Sequence, residues 1–109
     1  MGDHVRDGGE WIPAVALRVR VAALRELSRP SEADELLPAM LSATQAPELN
    51  ASNRARAFME AALLSHTRGR AAKAAVFARD AVALLLPTQV PQSPLLRRAR
   101  EIAARCGVG

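Results

Sequence analysis

The side chains with the most chemistry to offer in this sequence are arginines. Lys73 is the only lysine, so nearly all of the 15 basic residues carry a guanidinium. Arg18, Arg25 and Arg29 fall at spacings of seven and four, which puts them on one stripe of a helix. A guanidinium presents a planar fork of donors that grips a carboxylate or a phosphate through two bonds. Arg97, Arg98, Arg100 and Arg105 form the densest basic patch, of a kind that contacts phosphates. The remaining reactive residue types have plainer readings. His66 lies near a helix end, where the dipole favours its protonated form, but no Asp, Glu or Cys stands near it at metal-ligand spacing. Cys106 occupies the apolar phase of its helix and reads as a buried small hydrophobe. Glu32, Asp34 and Glu35 crowd the start of a helix, where the dipole accounts for them. No catalytic, metal or cofactor constellation is expected, and the chain does not read as an enzyme.

The elements that must carry these residues are all helices. Ala, Leu, Arg and Glu dominate the sequence, and these are strong helix formers. Residues 1–10 are polar and glycine-rich and read as a disordered lead; residues 11–109 read as a single helical domain. Trp11 is expected to staple the first helix to the core, and Pro13 suits its first turn. That helix runs from about Ala14 to Ser28 and stops before Pro30. The second opens at Ser31 with a near capping box, Ser31-Glu32-Ala33-Asp34, and carries Leu36, Leu37, Met40 and Leu41 in phase across Pro38, which predicts a kinked helix. Residues 42–52 form a loop, with Ser52 or Asn50 as the next cap. The third helix spans about Asn53 to Thr67, and Gly69 ends it. The fourth, about Ala71 to Leu86, is apolar on most sides. It is expected to be the buried spine, with the second, third and fifth helices around it. Ser93-Pro94 starts the fifth, which buries Leu95, Leu96, Ala99, Ile102, Ala103 and Cys106 and turns its arginines outward.

Length and charge bound the function classes. The 109 residues make one small domain. The formal charge of +4 fits either a GC-rich bacterial coding sequence or an anionic partner. A single cysteine excludes an internal disulfide and a multi-cysteine zinc site. No apolar run approaches the ~20 residues of a membrane span, and the first residues are no signal peptide. The expectation is a cytoplasmic protein.

A 41-residue shift overlays the two helical hairpins: Ala33 falls on Ala74, Leu36 on Phe77, Met40 on Ala81, Leu41 on Val82, and Ser28 on Gly69 at the turn. With Gly69, Ala74, Ala81 and Pro87 in place, and Ala62 as the small residue of the preceding helix, the stretch from Ala55 to Pro87 resembles a tetratricopeptide repeat. Ala14 to Ala43 resembles it less closely. Ser65 stands where that family has an aromatic, and the 41-residue offset exceeds its ~34. The resemblance implies an all-α fold of five helices: two antiparallel hairpins and a C-terminal capping helix. It also implies a groove lined by the first helix of each hairpin, which selects Arg18, Ala22, Arg25, Arg56, Met59, Leu63 and His66. Such a groove suits an acidic peptide, a carboxyl terminus or a partner helix. The expected function is therefore a protein-interaction module, small adaptor or scaffold, with self-association as one form of it. The alternative is a small nucleic-acid-binding or regulatory protein that uses Arg97, Arg98, Arg100 and Arg105.

Overall fold

A computed structural model of the chain describes residues 12–107. The expectations for the lead at residues 1–10 and for Trp11 lie outside the described residues. Those described form five helices and no strand: α1 (Ile12–Glu26), α2 (Pro30–Ala43), α3 (Ala51–Thr67), α4 (Ala71–Leu85) and α5 (Pro94–Arg105). The fold is all-α.

Local chemistry sets most of the helix ends. Asn50 caps α3 by accepting from the Asn53 N–H at 2.8 Å. Ser93 caps α5 by accepting from the Leu96 N–H at 3.3 Å, with Pro94 at the first helical position. Helix α2 departs from expectation. It starts at Pro30, its N-cap is Arg29, and no side chain bonds the cap. Asp34 instead accepts from the guanidinium of Arg70, the N-cap residue of α4. Pro38 sits inside α2, and the helix continues across it.

The turns that join α1 to α2 and α3 to α4 match bond for bond. Ser28 and Gly69 adopt the left-handed region, with φ of 62° and 77°. The Arg29 N–H donates to the Leu24 carbonyl at 2.8 Å, and the Arg70 N–H donates to the Ser65 carbonyl at 2.8 Å. The bonds of shorter sequence span, Ser28 N–H to the Arg25 carbonyl and Gly69 N–H to the His66 carbonyl, are both 3.1 Å. Each pair is offset by 41 residues. This is the bonding by which a helix end satisfies its last carbonyls.

The centre of the domain is α3, not α4. One side of α3, Ala57, Ala61 and Leu64, packs with Val21 of α1 and with Ala33 and Met40 of α2. Its other side, Ala55, Met59, Ala62 and Leu63, packs with Ala78, Ala81 and Leu85 of α4 and with Leu96, Ala99, Ile102 and Ala103 of α5. Helix α3 contacts all four of the others. Helix α4 contacts α3 and α5, but its Cα atoms come nowhere within 8 Å of those of α2. The small side chains along α3 are the physical reason. Two alanine-rich faces let neighbours approach closely on both sides of one helix, whereas α4 keeps Val76, and its C-cap Leu86, in solvent.

Candidate interaction surfaces

The arginines of α1 and α3 meet around one carboxylate. Arg25 donates from Nε to Glu60 at 2.7 Å and from a terminal nitrogen at 3.4 Å. Arg18 is half-buried on the same side of α1, and Arg56 is exposed on α3. Burial and the neighbouring Arg56 guanidinium push the pKa of Arg18 down, and Glu60 offsets part of that. Because Glu60 is committed to Arg25, this face keeps a positive balance. It does not have the apolar floor that the resemblance implies. Met59 and Leu63 are only 7% and 6% exposed and belong to the α3–α4–α5 core. Ala22 is half-buried, and His66 is exposed in the last turn of α3. Residues at the groove positions thus separate into an ionic surface and a buried core.

The four arginines of α5 are all exposed. The nearest acid to any of them is Glu101, 3.9 Å from Arg98. The face beneath is as expected: Leu96, Ala99, Ile102 and Ala103 are buried, and Leu95 and Cys106 pack partly against them. Burial pushes the Cys106 thiol above its ordinary pKa, with Arg105 opposing, so the reactive thiolate is scarce at neutral pH. Glu32 pairs with Arg29 at 2.6 Å on the surface. Among the described residues no three His, Cys, Asp or Glu side chains gather where a metal ion would bind, and no helix is long and apolar enough to cross a membrane.

An apolar hollow lies between α2 and α4, where the residue spacing gave no signal. It holds about 480 Å³ and is lined by Leu37, Pro38, Leu41, Val76 and Phe77, with Arg70, Ala72 and Lys73 at one end. Leu41 also borders a shallower hollow of about 270 Å³ that reaches Arg54 and Phe58. Phe58 borders a third, of about 320 Å³, beside Asp80, Ala83 and Leu84. Shared walls at Leu41 and Phe58 set the three side by side, and the first of them forms a trough between α2 and α4. Phe58 and Phe77 stack along it, with ring centroids 6.1 Å apart and planes 19° from parallel, a favoured offset arrangement.

One end of the trough is tied shut. Arg70 donates from both terminal nitrogens to Asp34, at 2.6 and 2.7 Å. Those bonds, with the charges of Arg70, Arg68 and Lys73, hold the Asp34 carboxyl below its usual range. Three cations therefore surround one acid, and the end of an apolar trough is left positive. Sequence reasoning missed the trough because its lining comes from residues that look like core: Leu37, Leu41 and Phe77 keep the apolar phase of their helices. Only the exposure of Val76 on α4 marks the opening. Compared with protein-family models, with curated proteins and with solved structures, the chain finds no match.

Proposed function

We propose that this chain is a small protein-interaction module of two tetratricopeptide-like helical pairs and a closing helix, acting as a cytoplasmic adaptor. The trough between α2 and α4 receives an amphipathic helix of a partner protein. Apolar anchors of that helix lie over Leu37, Leu41, Val76 and Phe77, and an acidic side chain lies beside Lys73. The observation that carries the reading is the apolar hollow of about 480 Å³ that ends at a cluster of three cations around one acid. Grooves of this kind take helices through side chains spaced at i, i+3, i+4 and i+7, and the charge at the end selects polarity and direction. The matched turns at Ser28 and Gly69 support the paired arrangement. So does the way α3 touches both helices of the first pair while α5 touches both of the second. The arginine face of α1 and α3 is the weaker surface for the same role, since it offers charge without an apolar anchor.

Selection of displayed helical peptides on the purified chain tests this. Enriched peptides should carry three apolar anchors and a flanking acid, and should shift the NMR signals of α2 and α4. They should lose binding to Val76→Asp combined with Lys73→Glu, two exposed positions whose replacement leaves the core intact. Peptides that bind this double variant undiminished refute the trough. A second reading, nucleic-acid binding, rests on the four exposed arginines of α5. Wild-type protein that leaves duplex DNA and RNA unshifted at low salt, where such contacts are strongest, refutes it.

A further inference from the structure

Helix α1 carries a stripe that no other described residue covers. Ala16, Val19, Arg20, Ala23, Glu26 and Leu27 are all exposed, and their spacing by threes and fours places them on one side of the helix. Val19 is 53% exposed and Leu27 is 65% exposed. Leu27 follows the last helical residue but still extends the spiral, with its N–H bonded to the Ala23 carbonyl at 2.9 Å. The same stripe is used elsewhere in this chain. At the 41-residue offset shared by the two turns, Ala16, Arg20 and Ala23 correspond to Ala57, Ala61 and Leu64. Those three are the side of α3 that is buried against α1 and α2. On α3 this surface docks a helix onto a helical pair; on α1 it faces solvent.

We infer that this stripe packs against the same stripe of a second copy of the chain, with the two α1 helices antiparallel about Ala23. The order of residues argues for a second copy. Three residues to either side of Ala23 stand Arg20 and Glu26, of opposite charge. Four residues to either side stand Val19 and Leu27, both apolar. A two-fold axis at Ala23 therefore sets Arg20 level with Glu26 of the second copy, and Val19 level with Leu27 of the second copy. This is the self-complementarity that a two-fold interface requires. A parallel pairing would set arginine against arginine. Both charges are free to engage. Glu26 lies only at the 4.0 Å limit from Arg25 and its side chain is 71% exposed. Arg20 has no ion pair among the described residues. Alanines at 16 and 23 let the helix axes come close. The trough is unsuited to the same role, since its positive end would meet a chain that is itself net basic. One helix face is smaller than a standard stable interface, so the dimer is weak and depends on concentration.

Sedimentation velocity of the full chain from ~10 µM to ~1 mM, a range suited to a small transient interface, should show a mass that rises from monomer toward dimer. Arg20→Glu alone and Glu26→Arg alone should each weaken the dimer by roughly tenfold through like-charge contacts. The double exchange of both residues should restore it. A second measurement avoids reliance on charge. With Cys106→Ser as background, Ala23→Cys places two thiols at the axis within disulfide reach. It should cross-link under mild oxidation, whereas Val76→Cys in the same background should not. A chain that stays monomeric across the range overturns the inference. So does a dimer indifferent to both single reversals, or an Ala23→Cys variant that cross-links no faster than the control.

Discussion

Breaking the Asp34–Arg70 pair should cost more from one side than from the other. The two bonds are 2.6 and 2.7 Å long, and the side chains are 21% and 35% exposed. Exposed ion pairs contribute ~0.2–1 kcal/mol, and a two-bonded guanidinium–carboxylate pair sits at the upper end. A double-mutant cycle of Asp34→Asn and Arg70→Gln at pH 7 should therefore return a coupling of about 1 kcal/mol. Arg70→Gln leaves Asp34 with Arg68 and Lys73 beside it. Asp34→Asn removes the only acid among the three cations that act on it and leaves them repelling one another, so it should be the costlier single change. By urea unfolding, with a slope of about 1–2 kcal/mol per molar, Asp34→Asn should lower the midpoint by roughly 0.5–1 M. The pH dependence follows from the direction of the shift. The folded-state pKa of Asp34 lies below the ordinary value of about 3.9 for the unfolded chain. The stabilisation is thus fully present above the unfolded value and is lost as pH falls through the lower, folded one. A coupling below about 0.3 kcal/mol at pH 7, or one that persists unchanged in strong acid, would refute the reasoning.

Three further outcomes are expected. Ser28→Gly should raise the melting temperature and Gly69→Ser should lower it, by about 4–8 °C each. The reason is that a left-handed residue with a side chain costs roughly 1 kcal/mol, and a Cβ at Gly69 meets nothing within 4 Å, leaving only the backbone penalty; melting curves of equal midpoint sink this. Ser65 buries its hydroxyl completely without a bonding partner, so Ser65→Ala should gain ~1 kcal/mol in denaturant unfolding, and a loss of stability contradicts it. Ala74→Leu and Ala81→Leu, at fully buried sites, should each destabilise by about 1–3 kcal/mol through overpacking, measurable as a midpoint shift; tolerance of both would mean that α4 has room to move.

The helices were legible because their punctuation is local. Pro30, Asn50, Gly69 and Ser93-Pro94 act on neighbours a few residues away, and the structure puts helix ends at each. The 41-residue correspondence was visible in side-chain pattern before it appeared in the turn bonds. What the sequence did not disclose was which helix lies in the middle. Composition favoured α4, whose apolar residues run all round it. The centre fell to α3, whose alanines admit neighbours on two sides, and closeness of approach depends on partners that a single helix does not display. The surroundings of the candidate surfaces were hidden for a related reason. Arg25 looked free until Glu60 of α3 was beside it, and Met59 and Leu63 looked like a groove floor until α5 closed over them. Pairing across 35 residues has no signature in either partner.

The separation of α2 from α4 has a mechanical consequence. No Cα of one lies within 8 Å of a Cα of the other, so the two helical pairs are joined at the back by α3 and at the front by side chains. Those side chains include the Phe77 ring, packed against the core that α3 shares with α1 and α2, and the Arg70–Asp34 pair. The arrangement is a pair of tongs with a rigid spring and an ionic strap. Spreading its jaws would break no backbone hydrogen bond between the two helices, so only side-chain contacts resist it. Added salt screens the strap and leaves the apolar packing along α3 in place.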